Sequence, residues 1–262
     1  MNISPHLLTG INLIRMAYTI REPEAALADF VERFWTLQND SGNDKEQVTI
    51  PDGRIDIIFS CSPNEPYLIG LIGIETAPSS HIFPAGSLMC GVSFKLSAVE
   101  YLPDINISGL VNQIQILPED FWGITETDLS DFEIFCQKLS ERIKSMMVPD
   151  IDKRKKQLFE LVYSTKGSMS IKDLSEKISW SSRQINRYFN QQFGISLKLF
   201  CSILRFRASF PHIKEGRLYP ELNFADQAHF IREVKKLSGV TPKELFKNQN
   251  DRFVQFSTLT DE

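Results

Sequence analysis

Several features that would place this chain in a common functional class are scarce or missing from its 262 residues. No apolar run approaches the roughly 20 residues that a membrane span requires. The first six residues lack the basic and then apolar pattern of a secretory signal. The four cysteines, Cys61, Cys90, Cys136 and Cys201, include no C-x-x-C pair. We therefore expect a cytoplasmic protein with reduced cysteines, and neither a disulfide framework, a zinc site nor a membrane protein.

Catalytic and cofactor motifs are also missing. The chain has no G-x-G-x-x-G, P-loop or G-x-S-x-G sequence, and its four histidines form no H-x-H or H-E-x-x-H pair. Asp52 and Asp56 flank a turn and form a candidate carboxylate pair, although surface aspartates are more common in turns. Trp35 and Trp122 are candidates to line a ligand pocket, but core packing is the more frequent role of such residues. The sequence thus favours a protein that is not an enzyme and that needs no metal or cofactor.

Charge is the most informative feature that is present, because it is divided unevenly along the chain. Residues 1–150 contain 9 Lys and Arg against 21 Asp and Glu, whereas residues 151–262 contain 20 against 12. The overall net charge of −4 hides this difference. An acidic first half and a basic second half indicate two domains with different partners, and the basic half is suited to a polyanion.

The acidic half has the pattern of short strands separated by turns that are rich in proline and glycine. Segments with strand character lie at residues 54–59, 67–72, 81–83 and 89–94. Their spacing favours a β-rich, barrel-like or sandwich-like domain, whose strands we expect to end near Phe94. A helical period follows from Leu129 to Met147. Because proline disfavours helix at the preceding residue, Pro149 suggests the division: a β-rich domain over 1–148 that ends in a long helix, and a helical domain over 149–262. The predicted fold class is α+β.

The basic half contains repeated start and stop signals of helices. A capping box at residues 181–184 begins a helix that Gly194 ends, and a shorter helix beginning at Ser170 precedes it. The outer face of the longer helix presents Ser182, Arg183, Asn186, Arg187 and Asn190. Arginine can bind guanine through two hydrogen bonds and asparagine can bind adenine, so this pattern is typical of a helix-turn-helix that contacts DNA. A solvated polar face on an ordinary three-helix unit is the alternative.

A second helix of the same kind is predicted between Asp226 and Ser238, with Gly239 ending it. Its apolar residues recur at i, i+4 and i+7, which predicts one buried face. The exposed side is expected to offer Gln227, His229, Arg232, Lys235 and Lys236. A helix from Ser196 links the two units, and Pro211 should end or kink it.

These segments resemble the AraC/XylS family of bacterial transcription regulators. One segment contains S-S-R-Q-I-N-R-Y-F at 181–189 and F-G-I-S at 193–196. The other contains N-F-A-D-Q-A-H-F-I-R-E-V-K-K at 223–236 and G-V-T-P at 239–242. The resemblance covers roughly residues 158–250, a little over a third of the chain.

The resemblance implies two helix-turn-helix units whose recognition helices enter successive major grooves of double-stranded DNA. It places base contacts on Arg183, Asn186, Arg187, Gln227 and Arg232. It places contacts to the DNA backbone on Ser182, Lys198, His229, Lys235 and Lys236. Ala228 also falls on a base-contacting position, where it can only touch a thymine methyl group. The chain departs from the family at residues 217–223, which are too few for the usual supporting helix.

The acidic half is similar to a sensor-type domain that often precedes this DNA-binding region, through the motif at 51–59 and the segment at 83–94. By that analogy it binds a small-molecule effector or mediates dimerisation, with RNA polymerase and a second copy of the chain as further candidate partners. The alternative is a small-molecule-binding or metal-dependent, cupin-like protein whose helical half is a degenerate interaction module.

Overall fold

The structure, a computed structural model, describes residues 16–148, 150–220, 224–248 and 252–257. Strands occupy its first part and helices its second, which confirms the predicted α+β class. The strands of the described residues are β1 Met16–Arg21, β2 Val31–Asn39, β3 Lys45–Thr49, β4 Arg54–Ser62, β5 Glu65–Ile72, β6 Ser79–Phe83, β7 Leu88–Lys95 and β8 Ile114–Leu117.

Six of these strands form one antiparallel sheet in the order β1-β2-β7-β4-β5-β8, and β3 pairs with β6 in a second sheet of two strands. The larger sheet is open, with β1 and β8 at its edges, so it does not close into a barrel. All four predicted strand segments are confirmed, since they lie within β4, β5, β6 and β7. The expectation that strands end near Phe94 is wrong, because β8 adds to the sheet by pairing with β5. With only four residues, of which three are exposed, it is too short for a hydrophobic pattern to identify it as a strand.

The helical part begins after two short 3-10 turns at Phe121–Gly123 and Glu126–Ser130. The α-helices within the described ranges are α1 Ala98–Tyr101, α2 Phe132–Met146, α3 Lys153–Ser164, α4 Ile171–Lys177, α5 Ser182–Phe193, α6 Leu197–Arg207, α7 Phe210–Lys214, α8 Gln227–Ser238, α9 Pro242–Lys247 and α10 Val254–Ser257. Within the part of the chain that is described, no helix is long and apolar enough to cross a membrane.

The predicted interruption of the linking helix is confirmed. The helix α6 ends at Arg207, and Pro211 lies in the first turn of the separate short helix α7. No helix forms over residues 217–220, where the family usually has a supporting helix, and residues 221–223 lie outside the described residues. Pro149, on which the proposed domain division depends, also lies outside them, so that division remains a prediction.

Two apolar clusters hold the molecule together, and each joins the β-rich half to the helical half. The larger contains buried side chains of the six-stranded sheet together with those of α2 to α6. The smaller joins Val48 and Ile50, at the end of β3, to buried residues of α6 to α10 such as Phe230 and to Phe253, which directly precedes α10. The helices α3 to α5 and the helices α8 to α10 therefore belong to clusters that connect to different parts of the β-rich half.

Candidate DNA-binding surface and effector cavity

The first helix-turn-helix consists of α4, a short turn and α5. Ser181 caps α5, because its Oγ accepts from the backbone N–H of Gln184 at 3.3 Å while the Gln184 side chain accepts from the backbone N–H of Ser181 at 3.0 Å. The helix ends at Gly194, whose φ of +68° is the left-handed conformation that glycine adopts without strain. Ile185 and Phe189 are fully buried. The amphipathic spacing therefore fixes which face of α5 points outward.

The outward face of α5 presents the side chains that the sequence assigned to base contacts. Arg183 and Arg187 are exposed, and Asn186 is partly exposed. Among the described residues, no carboxylate pairs with either arginine and no side chain bonds to the Asn186 amide. Ser182 is partly exposed and Lys198 fully exposed. Ser182, Arg183, Asn186 and Arg187 share one face of α5, whereas Lys198 lies in the first turn of α6, and the roles of all five in DNA contact remain predictions.

The second recognition helix, α8, has its predicted buried face, because Phe230, Val234 and Leu237 have no exposed surface. The remaining residues that the sequence assigned to DNA contact are exposed or, for His229, partly exposed; they are Gln227, His229, Arg232, Lys235 and Lys236. Two of them already have internal partners. The Gln227 amide donates to the backbone oxygen of Leu218 at 2.8 Å, and the His229 Nδ1 accepts from the backbone N–H of Ala225 at 3.2 Å. For the Gln227 amide to bond to a base, its hydrogen bond to Leu218 would first have to break.

The basic first turn of α3 binds the acidic half of the chain. The Lys155 Nζ lies 2.7 Å from Oε2 of Glu100, whose Oε1 accepts from the Tyr188 hydroxyl at 2.6 Å. The Lys156 Nζ lies 2.9 Å from a carboxylate oxygen of Asp29. Because Tyr188 belongs to α5, the Glu100 carboxylate joins the first recognition helix to the β-rich half. The sequence composition could not predict these ion pairs, because no local pattern shows which residues far apart in the chain come into contact.

A cavity of about 370 Å³ lies among strands of both sheets in the β-rich half. This volume is in the range of small-molecule sites. Its apolar wall includes Trp35, Leu37, Ile58, Ile72, Phe83 and Met89. The expectation of ordinary core packing is wrong for Trp35, because this side chain is only partly buried and lines the cavity. Trp122 does pack in the core, in contact with the rings of Phe94 and Phe121.

Part of the polar wall of the cavity is formed by the turn before β4 and by β4 itself. The Asp52 carboxylate accepts from the Arg54 guanidinium, with Nε at 2.8 Å from Oδ2, and both side chains are almost completely buried. Burial alone would raise the pKa of Asp52, but the Arg54 charge outweighs it and holds this pKa below its usual range. The Asp56 carboxylate accepts from the Trp35 indole at 3.4 Å and from the Ser93 hydroxyl, and burial raises its pKa.

The expectation that Asp52 and Asp56 are ordinary surface-turn aspartates is therefore wrong. The turn between them packs against α6, and a Cβ added at Gly53 would lie 3.1 Å from side-chain atoms of Phe200 and Leu204. This contact with the linking helix excludes water from the turn. Only the tertiary structure brings α6 to that position.

A third carboxyl, that of Glu75, lies in the cavity wall near the two-stranded sheet. Its Oε1 accepts from the hydroxyls of Thr49 at 2.9 Å and Ser79 at 3.0 Å. Burial raises the pKa of Glu75 to about 7, and the negative charge of Asp52 contributes in the same direction.

Glu75 makes the stability of the protein depend on pH in a predictable direction. Its folded pKa of about 7 lies above its unfolded value. Its contribution is thus fully present in acid and is lost as pH rises from about 4.5 to about 7. The Glu75→Gln variant keeps an acceptor for Thr49 and Ser79 but has no charge. We expect the variant to lose less stability than the natural protein between about pH 5 and about pH 8, as measured by urea unfolding. Parallel losses in the two proteins would contradict this role for Glu75.

The cavity is completed by the C-terminal part of the chain. Val254 and Gln255 line it, and the Gln255 Oε1 accepts from the backbone N–H of Ile50 at 2.9 Å. The neighbouring Phe253 and Phe256 point into the apolar cluster that contains the buried face of α8. One short segment, residues 252–257, therefore contacts both the cavity and the core of the second helix-turn-helix.

The described residues contain no clustered metal ligands, and burial raises the pKa of two cysteine thiols of the β-rich half. Within the described ranges, no three His, Cys, Asp or Glu side chains are grouped so that they could hold a metal ion. The four cysteines are free thiols. Burial raises the pKa of Cys90 to about 11 and also raises that of Cys61, so neither is a ready thiolate.

Comparison with known proteins adds one family match. Residues 19–115 match the family described as Domain of unknown function (DUF6597), which includes most of the strands and the cavity wall. No curated protein matches the chain. The match to this domain family covers about a third of the chain.

Among solved structures, the chain is similar to ToxT from Vibrio cholerae. An apo variant of ToxT from strain SCE256 is 14% identical, with 86% of this chain and 98% of that chain covered and a TM-score of 0.44. An unsaturated fatty acid-bound wild-type ToxT from the same strain is 12% identical, with 92% and 100% covered and a TM-score of 0.42. At this identity and TM-score the likeness carries no functional argument.

Proposed function

We propose that this protein is a sequence-specific DNA-binding transcription regulator of the AraC/XylS type. The observation that carries the proposal is the outward face of α5, where Arg183, Asn186 and Arg187 are accessible and uncommitted to any partner among the described residues. Arginine and asparagine on the first turns of a recognition helix can bind guanine and adenine edges in the major groove. The net positive charge of residues 151–262 supplies attraction to phosphates.

The second part of the proposal is that the cavity binds a small-molecule effector. Its volume, its apolar wall with Trp35 and the polar and charged side chains that face that wall suit a small organic ligand that carries polar groups. The segment 252–257 offers a route to the DNA-binding half, since Gln255 contacts the cavity while Phe253 and Phe256 contact the core of the second unit. A ligand that displaced Val254 or Gln255 would thus change how α8 is supported. This coupling requires that the ligand bind two orientations of that segment with different affinity.

Selection from a pool of random duplexes tests the DNA-binding part. The full chain is incubated with the pool, and bound duplexes are amplified over several rounds. Enrichment of one motif supports the proposal. A matched control is the Arg142→Ala variant, which removes an exposed arginine from α2 in the β-rich half and should enrich the same motif. A pool without an enriched motif would leave the protein as a ligand-binding module of another kind.

Salt dependence provides an independent prediction. Because affinity would come mainly from Lys and Arg meeting phosphates, the association constant for the selected duplex should fall linearly on a log–log plot against salt. With about six phosphate contacts, we expect a loss of roughly a thousandfold between 50 mM and 200 mM salt, measured by fluorescence anisotropy. A flat response would exclude the basic half as the contact surface.

A further inference from the structure

The two recognition helices follow the same internal register with a constant offset. The N-caps Ser181 and Asp226 are 45 residues apart, and so are the left-handed C-cap glycines, Gly194 and Gly239. Both helices have 12 residues. The same offset joins the N-caps of the helices that follow them, Ser196 and Thr241. Residues 45 apart therefore occupy equivalent positions in the two units.

Under this register, the position of Asn186 in α5 corresponds to Ile231 in α8. Ile231 is one of the few large apolar side chains of the described residues that are exposed, with 37% of its surface accessible. The position of Arg183 corresponds to Ala228, which is exposed as well. Of these three positions, only that of Arg187 has the same residue type in α8, where the equivalent residue is Arg232. The sequence pattern does not identify Ile231 as a DNA-contacting residue, because an apolar residue on a helix is ordinarily assigned to the core.

The outward face of α8 is therefore apolar at Ala228 and Ile231, and it is positively charged next to them at Arg232 and Lys235. Ala228, Ile231, Arg232 and Lys235 lie at i, i+3, i+4 and i+7, so they share one side of the helix. The Gln227 amide, the neighbouring group that could bond to a base, is held by the backbone oxygen of Leu218. An apolar surface with two positively charged side chains beside it can bind a partner that has both methyl groups and negative charge. In the major groove, thymine presents its 5-methyl group between phosphate backbones.

We propose that Ile231, with Ala228, selects thymine in the half-site of the second unit through contact with the 5-methyl group. This inference rests on the proposed function. It implies that the two half-sites are chemically different: the first unit would bind bases through hydrogen bonds from Arg183, Asn186 and Arg187, and the second through methyl contacts plus Arg232. A binding site made of two identical half-sites is not expected.

Replacing thymine by deoxyuridine tests the proposal, because the exchange removes only the methyl group. Each thymine of the selected duplex is replaced in turn, and the affinity of the full chain is measured by fluorescence anisotropy. We expect replacement at one or two positions to weaken binding about fourfold each, the factor that corresponds to burying one methyl-sized group. The Ile231→Ala variant should bind the thymine duplex more weakly and should no longer distinguish thymine from uracil at those positions. Since Ile231 is exposed and alanine favours helix, the variant is expected to fold normally.

The Asn186→Ala variant is the matched control, because it changes the equivalent position of the other unit. It should keep the sensitivity to uracil that Ile231→Ala loses. Equal sensitivity of the natural protein and Ile231→Ala, or no sensitivity at any thymine, would overturn the inference and leave the regulator assignment standing. Normal DNA binding by Ile231→Ala with weakened self-association in sedimentation would assign this side chain to a contact between copies, which also overturns it. If no duplex is enriched at all, the proposed function itself fails.

Discussion

The Asp52→Ala variant is expected to lose about 3–5 kcal/mol of unfolding free energy, the usual cost of leaving one charge of a buried ion pair without its partner. The Arg54 guanidinium would remain in the cavity wall, where only 5% of its side chain is accessible to water. Urea unfolding followed by tryptophan fluorescence measures the loss.

The acid range gives a second check on this pair. The folded pKa of Asp52 is lowered, so its stabilising contribution is present above the unfolded pKa and is lost as pH falls through the folded value. The difference in unfolding free energy between the natural protein and Asp52→Ala should therefore become smaller as the pH falls into the acid range. The matched control is Glu24→Ala, which breaks an ion pair with Lys144 whose side chains are 45% and 40% accessible. That change should cost about 1 kcal/mol or less. A similarly small loss for Asp52→Ala would show that Arg54 does not depend on this carboxylate.

The Arg187→Ala variant is expected to weaken binding to the selected duplex by about 1–3 kcal/mol and to relax the preference at one base pair. The physical reason is that two parallel hydrogen bonds from a guanidinium distinguish guanine from the other bases. Arg187 is exposed and lies outside the core, so the fold should be unaffected. Anisotropy titrations with the selected duplex and with single-base variants of it measure both effects.

The variant and its control differ only in which helix loses an arginine. Arg142→Ala on α2 should leave affinity and preference unchanged. If Arg187→Ala loses the same affinity for selected and random duplexes, the side chain contacts the DNA backbone and does not select a base. An unchanged affinity for the selected duplex would remove Arg187 from the interface.

Much of the helical half could be predicted from sequence because its signals are local. A serine or threonine followed three residues later by glutamine or glutamate marks the start of α5 and α9, and glycine marks the ends of α5 and α8. The distance between these signals also sets the register of the recognition helices. Which residues face outward on α5 follows from that register and from the spacing of Ile185 and Phe189.

The strands at the edges of the sheet were harder to predict. The strand β8 has mostly exposed side chains, and its backbone is satisfied by β5, some 45 residues earlier in the chain. No local pattern records such a pairing. For the same reason, the sequence could not show that β1 and β8 are the edges of the sheet that the described residues form, or that this sheet stays open.

By itself, the sequence determined the α+β class, the division of charge, the caps of the recognition helices and the outward position of Arg183 and Arg187, since each depends on neighbours within a few residues. The tertiary structure alone decided that Asp52 and Trp35 line a cavity and that Lys155 binds Glu100. It also decided that Gln255 bonds to Ile50, joining the last helix to the β-rich half. The two bonds join residues that are 55 and 205 positions apart, and their free energy depends on water being excluded when the segments meet.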